Sequence, residues 1–211
     1  MAGKHLAGRT TTTMLDRLSS GAARLADRRL MAVSVAAWLS LAALLFVWSG
    51  RFSLTAVARA CGRQAPDVRF APGATDTRTF IAGCGDEGLT AYRDLQLVDL
   101  AYPLVAAAVL VTALALLLSR IAPLHAWLSF MPLVAAAGDY VENVAAWVLI
   151  ADGTGRPAWA TLTLQIASAI KVTASWASWL LVIALLAALA VTALTARRAA
   201  QRSSAKTSVL F

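Results

Sequence analysis

The chain has 211 residues, of which 59% are hydrophobic and only 14% are charged, whereas a soluble domain is about 45–50% apolar and about 25% charged. This composition argues against a soluble protein and favours an integral membrane protein. The net charge of +8 does not indicate a nucleic-acid partner, because the positive residues flank the apolar runs and do not form one basic face.

Four long runs of apolar residues predict membrane-spanning helices. Each run is close to or longer than the about 20 residues that an α-helix needs to cross the hydrocarbon core of a bilayer. The predicted spans cover residues 30–48, 97–118, 127–150 and 162–194. Helices that are apolar on every side are typical of membranes and not of small soluble proteins. We therefore expect an all-α, multi-pass membrane protein whose four spans form a four-helix bundle.

The segment before the first span, residues 1–29, is basic. Its apolar residues between 14 and 30 recur on one helical face, which predicts an interfacial helix on anionic lipid. A basic leader that only sets the topology explains the same charges. The first span is also compatible with a signal peptide, with a small-residue cleavage site in AVARAC at 56–61. We expect an uncleaved anchor, because the apolar run exceeds the usual length and that site lies well beyond it.

The distribution of basic residues predicts the orientation of the spans. Arginine and lysine are dense in residues 1–29 and in the tail 195–211, and Arg120 lies in the short connection between the second and third spans. The positive-inside rule places these three segments in the cytoplasm. Residues 49–96 also contain six arginines, so the orientation depends on the density of basic residues near the span ends. We therefore expect both termini inside, in the cytoplasmic (inner) membrane of a bacterium.

Residues 49–96 form the predicted extracytoplasmic loop between the first two spans. Its content of Gly, Pro and Asp favours turns and short strands over long helices. Both cysteines of the chain, Cys61 and Cys84, lie in it, and disulfides persist outside the cytoplasm. A Cys61–Cys84 bridge would contribute about 3 kcal/mol in the chain-entropy model. Two free thiols are the alternative, and no C-x-x-C motif suggests thiol redox chemistry.

The sequence gives no sign of a metal site or of a cofactor. His5 and His125 are isolated, and no His/Cys cluster has metal-ligand spacing. No glycine-rich phosphate loop is present either. We therefore expect neither a metal nor a cofactor.

The third predicted span contains polar residues that lipid disfavours. Asp139, Glu142 and Asn143 stand at i, i+3 and i+4, so they share one side of the helix. Asn143 is the only asparagine of the chain. Because a charge at the centre of a membrane helix costs about 2.5–3.5 kcal/mol or more, these residues need a compensating partner.

The fourth predicted span supplies that partner. Ser168, Lys171 and Ser175 step by three and four and form a second polar stripe. Counted from the turn that joins the two spans, Glu142 and Lys171 lie at the same depth, about 12 Å. The sequence therefore predicts a Glu142–Lys171 ion pair, with Asp139 either protonated or paired with another donor. Asp99, early in the second span, either joins this group or faces the lipid headgroups.

Together these residues form a predicted buried polar cluster, and its role is open between two interpretations. The cluster consists of Asp99, Asp139, Glu142, Asn143, Ser168, Lys171 and Ser175. It is either a structural clamp that fixes the helix register or a site for chemistry or binding, since intramembrane ionisable residues are commonly functional.

The interpretations lead to different functions. The first is a structural, binding or accessory role in the membrane. The partners expected for it are the lipid bilayer and either an amphiphilic small molecule or another membrane protein. A membrane enzyme would use Glu142 or Asp139 as acid or base on a lipid- or quinone-like substrate, so these two residues are the catalytic candidates. A small proton-coupled transporter is disfavoured by the lack of an inverted repeat.

Three short motifs lie between residues 80 and 180. They are GDEGLTAYRDLQLVDLAYP at 85–103, DYVEN at 139–143 and the lysine in ASAIKVTASW at 167–176. In these motifs the chain resembles a family of small four-helix bacterial inner-membrane proteins, largely uncharacterised in activity, with a D-x-x-E-N motif in the third span. The resemblance implies that Asp99, Asp139, Glu142, Asn143 and Lys171 belong together, and it supplies no substrate. The run around the acidic motif is richer in Ala and Trp here, so the resemblance does not imply a pocket shape.

Overall fold

The structure is a computed structural model that describes residues 28–208. Every regular element in this range is helical, which confirms the all-α class. Residues 14–27 of the predicted interfacial helix over 14–30, and with them nearly all of the basic segment 1–29, lie outside the described residues.

Six α-helices follow one another along the described chain. They are α1 (Arg28–Ala42), α2 (Leu54–Cys61), α3 (Ala74–Asp99), α4 (Tyr102–Ile121), α5 (Met131–Asp152) and α6 (Ala158–Ser208). A π-helical turn, Ala43–Val47, continues α1, and 3₁₀ turns cover Pro66–Val68 and Pro123–Phe130.

Three helical stretches are long and apolar enough to cross a membrane. They are Ala74–Ile121, which contains α3 and α4, Pro123–Asp152, which contains α5, and Ala158–Arg198, which is most of α6. The first predicted span corresponds to a shorter apolar helix, Met31–Val47. The expectation of a membrane protein is thus supported by three membrane-length helices.

The prediction of turns and short strands in residues 49–96 is wrong, because α2 and most of α3 occupy this segment. Its glycines and prolines mark where helices end. Ser53 caps α2 by accepting a hydrogen bond from the Ala56 amide, and Gly62 ends α2 in the left-handed conformation at φ 68°. Gly85 kinks α3, with φ 62° and ψ −179°, a conformation that glycine adopts without steric cost.

The helix boundaries near the predicted spans also differ from the sequence prediction. Asp99 is the last residue of α3 and not an early residue of the second span, and the chain turns at Leu100 and Ala101 before α4 begins. Pro103 sits in the first turn of α4, where its missing N–H leaves no helical bond unmade. At the other end of the chain, α6 continues beyond residue 194 to Ser208.

Two apolar cores lie on either side of the predicted polar cluster. The first core joins α2 and α3 to the C-terminal half of α5 and the start of α6; its large members include Val57, Phe80, Ile81, Leu149, Ile150 and Leu164. The second lies between α4 and the middle of α6, at Leu110, Leu114, Leu118, Val182 and Leu185. Along α6, Ser168, Lys171 and Ser175 fall between Leu164 and Val182. The charged residues therefore sit at the junction of two well-packed regions.

We call α2, the 66–68 turn and α3 the cap. The cap contains the Cys61–Cys84 disulfide, so the predicted bridge is present. The disulfide lies directly against Gly88, where an added Cβ would come within 2.8 Å of Cys61 Sγ. Gly88 belongs to the GDEG motif, and its lack of a side chain makes room for the bridge.

Candidate functional site

The Lys171 side chain is the centre of the site. Its Nζ lies 2.7 Å from Asp139 Oδ1 and also forms an ion pair with Glu142 Oε2. It donates a further hydrogen bond of 3.0 Å to the backbone carbonyl oxygen of Asp67. An ammonium group has three N–H donors, and here three oxygens lie around it. The predicted Glu142–Lys171 pair is therefore present, and Asp139 shares the same partner.

The backbones of α5 and α6 approach each other closely at this point. A Cβ added to Gly138 would lie 3.1 Å from the Lys171 backbone nitrogen and 3.2 Å from the Ala167 carbonyl oxygen. Because Gly138 has no side chain, the two helices come near enough for Lys171 to reach both acids. Asp139 and Glu142 are one turn apart on the same face of α5, so one ammonium group contacts both.

The cap contributes a residue that the sequence did not indicate. Asp67, on the 66–68 turn, is only 5% exposed, and its Oδ2 accepts a 2.8 Å hydrogen bond from Gln96 Nε2. The Ser168 hydroxyl donates a 2.7 Å hydrogen bond to the Arg69 carbonyl oxygen. Ser168 and Lys171 of α6 therefore hold two carbonyl oxygens of this segment, two residues apart, which places Asp67 beside the acids of α5.

The environment of Asp67 favours its neutral form. Burial raises the pKa of Asp67, the charge of Lys171 opposes this effect, and the negative charge of Asp139 adds to it. The Tyr92 hydroxyl also lowers the pKa of Asp67. The Asp67 Oδ1 atom and the Tyr92 hydroxyl are both buried, and neither makes a hydrogen bond of good geometry among the described residues. One acceptor at the site is thus left unused.

A cavity of about 510 Å³ opens beside these residues. Residues of α1, α4, α5 and α6 form its side walls, and residues of the cap close one end. Its polar wall consists of Asp67, Asp99, Asp139, Lys171 and Ser175, whereas its apolar wall includes Trp38, Phe46, Leu110, Ala136, Trp176 and Trp179. The volume and the mixture of an apolar lining with a few polar groups are those of a small-molecule site.

The cavity is elongated along α6. Lys171 and Trp179 both line it, and eight residues of helix separate them by about 12 Å. At the apolar end, the rings of Trp38 and Trp179 lie 5.4 Å apart. Phe46 and Trp176 also line the cavity, although they are 52% and 65% exposed. The cavity therefore reaches the apolar outer surface of the helices at these two residues.

The two catalytic candidates occupy different positions. Asp139 is part of the cavity wall. Glu142 is 0% exposed, and its described contact is the ion pair with Lys171. Glu142 is thus separated from the cavity, and its visible role is to hold the ammonium group in place.

The other predicted members of the cluster are placed as follows. Asp99 and Ser175 line the cavity. Asn143 is 1% exposed, and neither polar atom of its side chain has a hydrogen-bond partner within the described range. Tyr140, which follows Asp139 on α5 and is not a predicted member of the cluster, donates its hydroxyl to the Leu100 carbonyl oxygen at 2.7 Å. Within residues 28–208, no group of His, Cys, Asp and Glu is arranged to hold a metal ion.

No protein-family model matches this sequence, and no curated protein or solved structure is significantly similar to it.

Proposed function

We propose that the protein binds an amphiphilic molecule inside the bacterial cytoplasmic membrane, in a binding or accessory role. The observation that carries this proposal is the cavity of about 510 Å³, which is polar at the Lys171 end and apolar at the Trp38–Trp179 end. A molecule with a polar head and an apolar tail matches this gradient. The exposed Phe46 and Trp176 at its edge provide a lateral route from the bilayer.

Ligand binding also accounts for polar residues that a structural clamp does not require. A clamp between α5 and α6 needs Glu142 and Lys171, which pair directly. It does not need Asp99 or Ser175, which face a cavity. Polar groups that line open space inside a membrane are characteristic of ligand or ion sites.

The topology that we propose has four spans in a four-helix bundle, with both termini in the cytoplasm. In support, the apolar helix Met31–Val47 packs against α4, and α4 packs against both α5 and α6. Alkaline phosphatase fused after residue 73 is expected to be active, and green fluorescent protein fused after residue 211 is expected to fluoresce. An inactive phosphatase fusion would contradict this topology.

Binding can be tested by filling the cavity. Ala106 lines it, whereas Ala108, two residues along α4, is exposed on the outside of the helix. Wild type, Ala106→Phe and Ala108→Phe would be purified in parallel and compared by native mass spectrometry. We expect a bound amphiphile on wild type and on Ala108→Phe, and its loss from Ala106→Phe. Equal occupancy in all three proteins, or none in any, would contradict the proposal.

A membrane enzyme is the second candidate, and one observation favours it. Asp139 both lines the cavity and contacts the Lys171 ammonium, as an acid or base beside a bound substrate would. If this is the function, the amphiphile retained by wild type will be converted to a product of different mass. Asp139→Asn will retain the molecule unchanged. An unchanged molecule on wild type during prolonged incubation would contradict catalysis and leave binding as the function.

A further inference from the structure

We propose that the head of the bound amphiphile is cationic, an ammonium group held by Asp99, Asp67 and Asp139. This inference rests on the proposed binding function and adds the chemical class of the ligand. It follows from the balance of charged groups at the polar end of the cavity and from the hydrogen bonds that they already make.

Carboxyl groups outnumber cationic groups at this end of the cavity. Asp67, Asp99 and Asp139 line it together with a single cation, Lys171. Glu142 adds a fourth carboxyl group behind the wall, in contact with the same lysine. Arg69, on the same segment as Asp67, pairs with Asp76 at 2.5 Å and is not part of the wall. One ammonium group therefore faces four carboxyl groups, and an added cation would improve the balance.

Lys171 is already surrounded by oxygen atoms. Its ammonium group forms ion pairs with Asp139 Oδ1 and Glu142 Oε2 and donates a hydrogen bond to the Asp67 carbonyl oxygen, so an anionic head group would compete with these contacts. The remaining donors in the wall are neutral hydroxyl and indole groups, such as those of Ser175 and Trp38. A phosphate or carboxylate head would meet three carboxyl groups without a free charged donor, so such a head is disfavoured.

A separate observation points to a missing donor. Asp67 is 95% buried, lines the cavity and has an Oδ1 atom without a hydrogen-bond partner among the described residues. A buried acceptor that is left unpaired costs free energy. An ammonium head in the cavity would donate this hydrogen bond, and its charge would favour the ionised carboxylate, which burial alone disfavours.

Three probes with the same twelve-carbon chain separate the possible head groups. Dodecylamine, dodecanoate and dodecanol would each be titrated into protein held in lipid nanodiscs, and the shift in unfolding temperature would be measured. The variants are Asp99→Asn and Asp67→Asn, which each remove a carboxyl group of the wall, and Ala106→Phe, which fills the cavity. Asp86→Asn, at an exposed position of α3, is the matched control for loss of a negative charge.

We expect dodecylamine to raise the unfolding temperature of wild type and of Asp86→Asn more than either other probe does. Its affinity should fall at least about tenfold in Asp99→Asn or Asp67→Asn, as is typical when a charge-assisted hydrogen bond is lost. The shift should disappear in Ala106→Phe. Two carboxyl variants are used so that, if one of them does not fold, the dodecylamine affinity of the other still tests the inference.

Two results would overturn the inference. If dodecanoate or dodecanol binds as well as dodecylamine and Ala106→Phe abolishes this binding, the cavity takes amphiphiles but does not select a cation. If no probe distinguishes wild type from Ala106→Phe, a cationic ligand is excluded. In that case the native mass spectrometry comparison decides separately whether the cavity binds any amphiphile.

Discussion

The Lys171 ammonium donates a hydrogen bond of 3.0 Å to the carbonyl oxygen of Asp67, which lies 104 residues earlier in the chain. This bond joins the longest helix, α6, to the cap. The same ammonium holds Asp139 and Glu142 of α5. One side chain thus connects three parts of the molecule, and changes at Lys171 should affect all of them.

Removal of the lysine charge should strongly destabilise the protein. Lys171→Met leaves Asp139 and Glu142 without their partner, and loss of one member of a buried ion pair typically costs about 3–5 kcal/mol. Glu142→Gln should be milder, because Lys171 keeps its contact with Asp139. The double variant should be more stable than Lys171→Met alone, since one unpaired carboxylate has been removed. Thermal unfolding in one detergent measures all three differences.

The control for this series is Arg156→Met, which removes a positive charge at an exposed position of the turn between α5 and α6. Its effect should be within about 0.5 kcal/mol, as is usual for surface substitutions. If Lys171→Met is no more destabilising than Arg156→Met, the ion pairs do not hold α5 and α6 together.

Gly138→Ala should destabilise the contact between α5 and α6. The new methyl group would lie 3.1 Å from the Lys171 backbone nitrogen, and backbone atoms cannot move aside as a flexible side chain can. Overpacking of this kind typically costs about 1–3 kcal/mol. Gly83→Ala on α3 is the matched control, because nothing lies within 4 Å of the added Cβ, and alanine favours helix by about 0.5–1 kcal/mol. Opposite signs of the two shifts in unfolding temperature are expected, and equal shifts would refute close packing at Gly138.

Loss of the disulfide should loosen the segment that carries Asp67. Cys61 and Cys84 are 23 residues apart, and the 66–68 turn lies inside the loop that they close. A Cys61→Ala, Cys84→Ala variant should lose about 3 kcal/mol of stability. Hydrogen exchange at the amides of the 66–68 turn should become faster, while exchange in the middle of α4 changes less. If the amides of the 66–68 turn exchange at the same rate in the variant and in wild type, the contacts with Ser168 and Lys171 fix this segment without the disulfide.

The burial of Asp67 predicts a pH dependence of stability. The pKa of Asp67 is raised in the folded protein, first by burial, above an unfolded value of about 3.9. Its favourable contribution is therefore complete below the unfolded pKa and is lost as the pH rises through the folded pKa. Asp67→Asn keeps a neutral side chain at every pH. The unfolding temperature of this variant relative to wild type should therefore rise as the pH is raised above about 4. A difference that stays constant as the pH is raised would show that Asp67 does not change its charge.

The helices and the central ion pairs could be predicted because their signals are local. The spacing of Asp139 and Glu142 fixes one face of α5, and the short turn to α6 fixes the depth of Lys171 opposite them. The structure contains this arrangement. Both predictions use residues within a single helical hairpin, where sequence distance and spatial distance are related.

Asp67 could not be predicted for the opposite reason. Its contact with Lys171 spans 104 residues, and no periodic pattern surrounds it in the chain. The prediction of turns and short strands in residues 49–96 failed because glycine content does not distinguish a turn from a helix end or a kink, and here Gly62 ends one helix and Gly85 kinks another. Glycine marks a change of direction without specifying the element on either side. Asp99 was misplaced by a few residues because α3 leads almost directly into α4.

The length of α6 has a mechanical consequence. A helix of 51 residues is about 76 Å long, more than twice the thickness of the hydrocarbon core. Lys171 lies in its first third, and about 55 Å of helix continues from there to Ser208. If a ligand tilted α6 by about 5° at Lys171, the far end would move by about 5 Å. A small change in the tilt of α6 at the cavity would therefore become a larger displacement at its basic end, which carries Arg197 and Arg198.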